Sequence, residues 1–306
     1  MIRFVLNRLL AAIPTLLIIA ALSFFLMRLA PGGPFDGERA LDPAIAANLR
    51  RIYRLDLSLP NQFMLYLESL MRGDFGPSLH WRDFTVNELF AKALPVSLRL
   101  GGAALILAFG LGLPLGLIAA AGPRTLVARF AGVFMLLALV IPPFVVAPLL
   151  QLAFGLDLKI LPVGGWEEGA WRHQILPVLT LSLPLTAAIA GLTRAAMRDH
   201  LAEPHIRTLR AFGLPAKTIY GHALRGALVP VVAYLGLAAA NVLTGSMVVE
   251  TIFGLPGMGR YFVDAALGRD YTVVMGAVII VACLVVGFNL LADLIAAWLD
   301  PRISHE

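Results

Sequence analysis

The side chains in this chain that could act as a base, a nucleophile or a metal ligand are scattered rather than grouped. All six histidines lie outside the long apolar runs, so Ser97, Ser182 and Ser246, which lie in or beside those runs, have no base at their depth. A membrane-embedded Ser-His hydrolase is therefore disfavoured, and we interpret these serines as packing or helix-bonding residues. The same scatter gives no cluster with metal-ligand spacing. The histidines are His80, His173, His200, His205, His222 and His305.

An internal energy source is also missing from the sequence. The three lysines, Lys92, Lys159 and Lys217, lack the upstream glycines of a phosphate-binding loop, so we expect this chain to bind no ATP and no other cofactor. Asp293 is the one acid well inside a predicted spanning helix, at about 271–298, whereas an ion-coupled transporter usually buries several ionisable groups along its path. We interpret Asp293 as the partner of a basic residue or as a backbone cap. An energy-requiring activity would then depend on a partner protein.

The stretch from Arg194 to Arg225 is the part of the chain best suited to contact such a partner. It lies between two apolar runs and contains six of the 24 basic residues but only two acids, Asp199 and Glu203. Pro204 and Pro215 divide it into two short segments, which predicts a helical hairpin. The basic residues are Arg194, Arg198, Arg207, Arg210, Lys217 and Arg225.

The first short segment of this hairpin has apolar positions flanked by arginines. Leu209 and Phe212 alternate with Arg207 and Arg210 ahead of Gly213, where we place the hinge. This chemistry is typical of a short helix that binds in a groove on a partner. A helix that lies on the lipid surface through the same arginines is the alternative.

Six long apolar runs must position these residues. The chain has 306 residues, of which 59% are hydrophobic and only 14% charged, a composition far from that of an ordinary soluble domain. Each run has 19 or more residues, and about 20 helical residues cross a bilayer core, so we predict six transmembrane helices. The runs are Leu9–Met27, Leu100–Ala121, Phe130–Leu156, Ile175–Thr193, Gly226–Val249 and Tyr271–Ala292.

The basic residues near the ends of these runs predict the orientation of the chain. With the N-terminus inside, eleven Lys and Arg residues fall in the inner segments and four in the two short outer loops. Positive charge is enriched on the cytoplasmic side, so both termini are expected inside. The basic residues flank the apolar runs instead of forming an aromatic-interleaved stripe, so the net charge of +5 does not indicate nucleic-acid binding.

Two adjacent prolines interrupt the third apolar run. Pro142 and Pro143 must break the regular hydrogen bonding of a helix, and in lipid the freed carbonyls must be buried in protein or face a wet cavity. Residues 141–148 are therefore either a pathway-lining segment or a kink packed against neighbouring helices. We select Pro142 and Pro143, together with the polar Asn241 and Ser246 of the fifth run, as candidate pathway residues.

Several short motifs, in this order along the chain, resemble one family. Together they are similar to the B-type membrane subunit of the bacterial ABC importers for oligopeptides, dipeptides and nickel, and the resemblance covers essentially all 306 residues. Arg28–Pro34 resembles the family's R-L-x-P-G-x-P signature. The others are Gly73–Ser78, Gly245–Glu250, Gly254–Gly259, Arg269–Tyr271 and Asp300–Ile303.

The resemblance implies an all-α integral membrane protein of the ABC type I importer permease fold in the bacterial inner membrane, with a cytoplasmic coupling helix and a small helical periplasmic segment. It implies a second homologous permease subunit, two cytoplasmic ABC ATPases that use ATP and Mg, a periplasmic substrate-binding protein, and no catalytic residue in this chain. The expected units are the first transmembrane helix at 1–29, a periplasmic segment at 30–94, a five-helix permease core at 95–300 with the coupling loop at 194–225, and a cytoplasmic tail at 301–306.

The coupling loop of these importers carries an E-A-A-x-x-x-G pattern, which the chain follows in part. Arg207, Thr208 and Leu209 occupy the first three positions and Gly213 the glycine; the peptide branch is similar to R-T-A there, so Leu209 is the unusual residue. The downstream L-P pair has no counterpart at its usual spacing. The residues that the resemblance assigns to ATPase coupling are Glu203, Arg207, Thr208, Leu209, Arg210, Phe212 and Gly213.

The outer loops are the expected docking surface for a binding protein and the outer gate. We assign this role to segments 36–90, 163–171 and 254–270, and within them to Trp166, Gly254, Pro256, Gly257 and Gly259. The stretches 35–43 and 161–166 look most like the oligopeptide branch, with dipeptide, glutathione or nickel import as alternatives. An ion-coupled secondary transporter is the alternative from another class.

Overall fold

The computed structural model describes residues 2–29, 51, 54–81, 83–122 and 125–299. Three expectations lie outside these residues: the end of the first signature at 30–34, the first part, 36–50, of the docking segment 36–90, and the closing motif with its tail at 300–306.

The described residues fold into helices, with one isolated antiparallel bridge between Pro77 and Thr85. A π-helical segment, Gln151–Asp157, and a short 3-10 turn, Glu167–Gly169, lie between the fifth and the sixth α-helix. The α-helices are α1 (Ile2–Leu29), α2 (Leu59–Met71), α3 (Val86–Ala121), α4 (Leu126–Val140), α5 (Pro143–Leu150), α6 (Trp171–Ala202), α7 (Pro204–Ala211), α8 (Ala216–Phe253), α9 (Met258–Leu267) and α10 (Tyr271–Leu299).

The helices match the six predicted spans, five as single helices and the sixth as a bent pair. Helices α1, α3, α6, α8 and α10 each contain a stretch long and apolar enough to cross a membrane. The sixth span is the pair formed by α4 and the segment Pro143–Asp157, whose axes differ in direction by 103°. A break was predicted at this point, and Pro142, which is exposed, stands between the two helices.

Helix α3 begins nine residues before the predicted boundary of the permease core at 95. Thr85 Oγ1 accepts a hydrogen bond from the Glu88 backbone N–H at 3.2 Å, and Glu88 Oε2 accepts one from the Thr85 N–H at 2.8 Å. This reciprocal cap fixes the start of the helix. The Thr-x-x-Glu spacing is visible in the sequence and was overlooked there.

Helices α3, α6 and α8 form the centre of the bundle, with α10 packed on α8, α1 on α10 and α4 on α6. The glycines of α3 allow the closest approach. A Cβ at Gly112 would lie 2.8 Å from the Thr186 carbonyl oxygen, and one at Gly116 would lie 2.5 Å from that of Ala190. Small residues at such positions promote helix association in lipid.

The outer segment is fastened to α10 by one buried acid. Asp270, which is 0% exposed, accepts hydrogen bonds from Ser78 Oγ at 2.5 Å and from the backbone N–H groups of Leu79 and His80 at 2.9 and 3.0 Å. Two motifs that are far apart in sequence, at 73–78 and 269–271, therefore meet at the outer end of α10.

The three glycines and the proline at 250–259 predict an irregular loop, and the structure confines this loop to the residues from Gly254 to Gly257. Gly254 ends α8 with a left-handed φ of 65°, and Pro256 and Gly257 follow, but residues Met258–Leu267 form α9. A helix can form there because a tertiary contact, described below, satisfies its first N–H groups.

Candidate functional site

Helix α7 and its flanking residues occupy the end of the bundle where α6 finishes and α8 starts. Pro204 takes the first helical position, where its missing N–H costs nothing. The Glu203 carboxylate lies 2.5 Å from His200 Nδ1 and 3.0 Å from His205 Nδ1. Glu203 thus bridges the last turn of α6 and the first turn of α7, so its contacts are within this chain.

A left-handed glycine ends α7. Gly213 has φ 72°, its N–H donates to the Arg210 carbonyl at 3.0 Å, and the Leu214 N–H donates to the Leu209 carbonyl at 3.3 Å. This pair of bonds is the Schellman arrangement, which favours glycine at this position. Gly213, where the hinge was predicted, is therefore the turn that separates α7 from α8.

One side of α7 holds it to the bundle. Ile206 is 0% exposed, and Leu209 and Leu214 pack with it against a cluster that includes Met197 of α6 and Ile219 of α8. Leu209 was expected as an apolar knob for a partner. It instead lies half-buried against its own chain, because its position in the helix points it toward the same cluster as Ile206.

The opposite side of α7 is open. We call it the outer face of α7; its side chains are exposed, and Phe212 has 79% of its surface accessible. A Cβ at Gly213 would meet nothing within 4 Å, so the space around the hinge is also open. The residues of the outer face are Arg207, Thr208, Arg210, Phe212 and Gly213.

At the other end of the bundle, two outer loops are joined. The Gly165 N–H donates to the Phe253 carbonyl at 2.8 Å, and Gln151 Nε2 donates to the carbonyls of Val163 at 2.8 Å and Ile252 at 3.3 Å. A Cβ at Gly164 would lie 2.5 Å from the Phe253 carbonyl oxygen, so only glycine fits there.

These contacts bring two of the predicted gate regions together. Trp166 packs in a cluster with Phe253 and Leu255, next to Gly254 and Pro256. The loop at 163–166 and the start of 254–259 are thus one surface, which we call the outer-end cluster.

Glu250 lies directly beneath the outer-end cluster and is 0% exposed. Its Oε2 accepts a hydrogen bond from the Gly259 N–H at 2.7 Å, while Ser97 Oγ accepts one from the Met258 N–H at 2.9 Å. A carboxylate at the N-terminus of α9 is favoured by the helix dipole and satisfies unpaired N–H groups.

Close packing around Glu250 explains two glycines that were selected as gate residues. A Cβ at Gly257 would lie 2.4 Å from the Glu250 carboxyl carbon, and one at Gly259 would lie 2.1 Å from the Met247 Cα. Both glycines are therefore needed to seat α9 on Glu250. Sequence reasoning did not select Glu250, although an acid at the outer end of an apolar run, just before a glycine-rich loop, was a visible signal.

The four candidate pathway residues differ in exposure. Pro142 and Asn241 are exposed in the single chain and Pro143 is half-buried. Ser246 is 1% exposed, and its hydroxyl lies beside the Glu250 carboxyl. Ser246 therefore supports the buried acid, and no open surface reaches it in this chain.

Asp293 pairs with Arg8, with 3.0 Å between its Oδ2 and the Arg8 Nη2. This confirms the interpretation of Asp293 as the partner of a basic residue. Among the residues that the structure describes, no group of three or more His, Cys, Asp or Glu side chains could hold a metal ion.

Two family descriptions match the chain. Residues 112–305 match the family described as binding-protein-dependent transport system inner membrane component, and residues 1–80 match the N-terminal part of such membrane components.

Curated relatives match over the full length. The oligopeptide transport system permease protein OppB of Salmonella typhimurium is 48% identical over 100% of both chains, and that of Haemophilus influenzae is 45% identical over 100% of both. The dipeptide transport system permease protein DppB of Bacillus subtilis is 40% identical over 99% of this chain and 98% of its own length.

Among solved structures, a chain of the inward-facing MetNI methionine ABC transporter has a similar fold. It superposes with a TM-score of 0.58 and 17% identity, and the match covers 69% of this chain and 96% of the other.

Proposed function

This chain belongs to the family of binding-protein-dependent transport system inner membrane components and is a multi-pass membrane protein. We propose that it forms half of the pathway by which an ATP-driven importer carries peptides across the bacterial inner membrane. Oligopeptides are the favoured substrates. The observation that carries this choice is the full-length identity of 48% to an oligopeptide transport system permease.

In this proposal the chain supplies no catalytic group. Two ATPases bind from the cytoplasm and hydrolyse ATP with Mg, a homologous permease subunit forms the other half of the pathway, and a periplasmic binding protein delivers the peptide to the outer-end cluster. The outer face of α7 is suited to the ATPase contact because it combines an exposed aromatic side chain, Phe212, with Arg207 and Arg210. Aromatic and arginine side chains are the residues most enriched at binding hot spots.

The helices provide a rigid connection between the two ends of the molecule. Helix α7 is anchored on α6 and α8 through Ile206 and Leu209. Helix α8 spans 38 residues, which corresponds to roughly 57 Å, with Pro230 inside it, and its last turn carries the Glu250 carboxyl group that seats α9. A displacement of α7 by the ATPases would therefore be transmitted along α8 to the outer-end cluster.

The test is transport by the reconstituted complex. Proteoliposomes that contain this chain, the second permease and the ATPases should transport an oligopeptide only under two conditions. ATP must be present on the side of the membrane where the ATPases lie, and the binding protein must be present on the opposite side. Uptake driven by a proton or sodium gradient with this chain alone would indicate a secondary transporter instead. Competition by dipeptides, glutathione or nickel, but not by longer peptides, would overturn the oligopeptide assignment.

The coupling contact has a separate test with a matched control. Phe212→Ala should reduce ATPase co-purification in mild detergent, while Phe130→Ala, which changes a phenylalanine that is 75% exposed on α4, should not. Because both side chains are exposed, neither change should lower the stability of the chain. Full retention of the ATPases by the Phe212 variant would remove this residue from the contact.

A further inference from the structure

A cavity of about 260 Å³ lies between α1, α2 and the start of α10, and the transport role proposed above does not account for it. Arg28 lines it from the penultimate residue of the spanning segment Arg8–Leu29, and Tyr271 lines it from the first residue of the span Tyr271–Trp298. Two spans thus reach their outer ends at this cavity. Headgroups of the bilayer lie at that depth.

Lipids can reach the cavity along α1. Helix α10 is the main partner of α1 among the described helices, and side chains on the rest of its surface are exposed, for example Leu22 at 56% and Leu26 at 64%. The inner side of α1 near the cavity is aromatic: Phe24 is 1% exposed and packs against Phe63 and Tyr66 of α2. The cavity is therefore at the periphery of the bundle.

Arg28 brings a positive charge into this cavity. Its guanidinium carbon lies 5.1 Å from the centre of the Phe24 ring and 5.6 Å from that of the Tyr271 ring, so aromatic faces hold it in place. Its Nε is buried and has no hydrogen-bond partner within the described part of the chain. A buried charged donor without a partner is costly, which makes an acceptor from outside the chain favourable.

Two further polar groups that line the cavity have no partner among the described residues. Gln62 is 8% exposed, and its Nε2 donates to the carbonyls of Leu55 and Leu57 at 3.2 and 2.7 Å, which fixes the amide and leaves Oε1 without a donor. The Tyr66 hydroxyl is also buried and unpartnered. Burial raises the pKa of Tyr66 to about 12, so the group is a neutral hydroxyl that can donate.

The charges around the cavity select the kind of ligand. Arg28 and Arg54 line it against a single described acid, Asp74, whose Oδ1 already accepts a hydrogen bond from the Gly76 N–H at 2.8 Å. Water could satisfy single hydrogen bonds but would not balance the positive charge of the described lining. A phosphate group would satisfy both needs, because its oxygens accept from Arg and Tyr and it is negative.

We propose that this cavity binds the headgroup of a membrane phospholipid. The phosphate accepts hydrogen bonds from Arg28 and Tyr66, and the ammonium or hydroxyl group of the headgroup donates to Gln62 Oε1. The acyl chains lie along the exposed apolar side of α1. Basic pockets between transmembrane helices on the cytoplasmic side bind lipid headgroups through the same kind of contact.

The site is tested by native mass spectrometry on the full chain in its purified complex. The complex is stripped of lipid in detergent and titrated with phosphatidylethanolamine, with phosphatidylglycerol, with diacylglycerol, which lacks the phosphate, and with inorganic phosphate. The variants are Arg28→Gln and Tyr66→Phe, and Arg72→Gln is the matched control, because Arg72 is an exposed arginine paired with Glu68 on the surface of α2 at 2.6 Å.

We expect one phospholipid per chain in the wild type and in Arg72→Gln, with binding weakened about tenfold or more in Arg28→Gln and less in Tyr66→Phe. Diacylglycerol should not bind. The Tyr66→Phe variant removes only an unpartnered hydroxyl, so its thermal stability should match that of the wild type, and weaker lipid binding in it separates recognition from folding.

Three results would each overturn the proposal. The first is equal lipid binding by the wild type and Arg28→Gln, and the second is equal binding of diacylglycerol and phospholipid. The third is that inorganic phosphate saturates the site and that no phospholipid then stays bound. The last result would show a site for free anions. The absence of a bound phospholipid in the wild type would likewise overturn the proposal.

Discussion

Glu250 illustrates how much of this fold depends on single buried polar groups. Its carboxylate is completely buried and closes the N-terminus of α9 through the Gly259 N–H at 2.7 Å. Without it, the first N–H groups of α9 would be buried and unpaired, and two glycines would pack against a void.

We expect Glu250→Ala to lower the stability of the chain by about 1–3 kcal/mol, the usual cost of leaving a buried hydrogen-bonding group unpaired. Transport should be lost with it, because the outer-end cluster would no longer be held. Thermal unfolding in detergent and peptide uptake measure the two effects. Glu250→Gln, whose amide oxygen can still accept from Gly259, should be milder in both assays; equal behaviour of the two variants would contradict a capping role.

Gly213 provides a second prediction for one residue. With φ at 72° and open space around it, its requirement is conformational rather than steric. Gly213→Ala should therefore cost about 1–2 kcal/mol, the usual penalty for a left-handed non-glycine residue. It should also reduce ATP-driven uptake while membrane insertion stays normal.

Gly221→Ala is the matched control. Gly221 lies inside α8, has open space around it and no positive φ, so the substitution should be neutral or stabilising. Gly213→Asn adds a further comparison, since asparagine tolerates the left-handed conformation and should retain more activity than alanine. Unchanged uptake in all three variants would remove the α7 hinge from the mechanism.

Among the helices, the broken span α4–α5 is the one whose shape depends most directly on sequence. Neither Pro142 nor Pro143 has an N–H to continue α4, and α5 restarts with the Val145 N–H donating to the Pro142 carbonyl at 2.9 Å. The 103° change of direction brings Gln151 to the carbonyls of the outer-end cluster.

Replacing Pro142 and Pro143 together by alanine should allow α4 and α5 to join. Spin labels at Val133 and Leu149, both exposed, would then be roughly 24 Å apart along a straight helix, compared with a shorter distance across the bend. Electron–electron double resonance in a Cys283→Ser background measures this distance. Peptide uptake by the double proline variant should fall as the distance increases. Pro148→Ala, inside α5, should leave the distance unchanged; an unchanged distance in the double variant as well would mean that tertiary contacts, not the prolines, impose the bend.

At the scale of the whole molecule, α7 and the outer-end cluster lie at opposite ends of the bundle, joined by α6 and α8. This arrangement places the proposed ATPase contact and the proposed binding-protein contact on opposite sides of the membrane. The distribution of basic residues predicts that the α7 end is cytoplasmic.

The orientation can be measured with single cysteines in the Cys283→Ser background. A cysteine at Leu158, which is 59% exposed next to the outer-end cluster, should react with a membrane-impermeant maleimide in cells with a permeabilised outer membrane. A cysteine at Lys217, exposed near the start of α8, should react only after the inner membrane is opened. The reverse labelling pattern would overturn the N-in, C-in orientation.

The sequence by itself determined the six spans, the break at Pro142 and the glycine hinge of α7. These features depend on local properties: the length of an apolar run, the missing N–H of proline and the left-handed freedom of glycine. Each would be the same in almost any tertiary setting, and so each was visible without one. The motifs likewise sufficed to indicate the family.

Only the tertiary structure decided which side of each helix faces its neighbours. It turned Leu209 inward, buried Ser246 beside Glu250, and allowed α9 to begin at Met258, inside the stretch 250–259 where glycines and a proline predicted an irregular loop. The reason is that these outcomes depend on partners distant in sequence, such as Ser97 beside Glu250 and Ser78 against Asp270. No local pattern specifies which buried acid will meet which N–H group across the bundle.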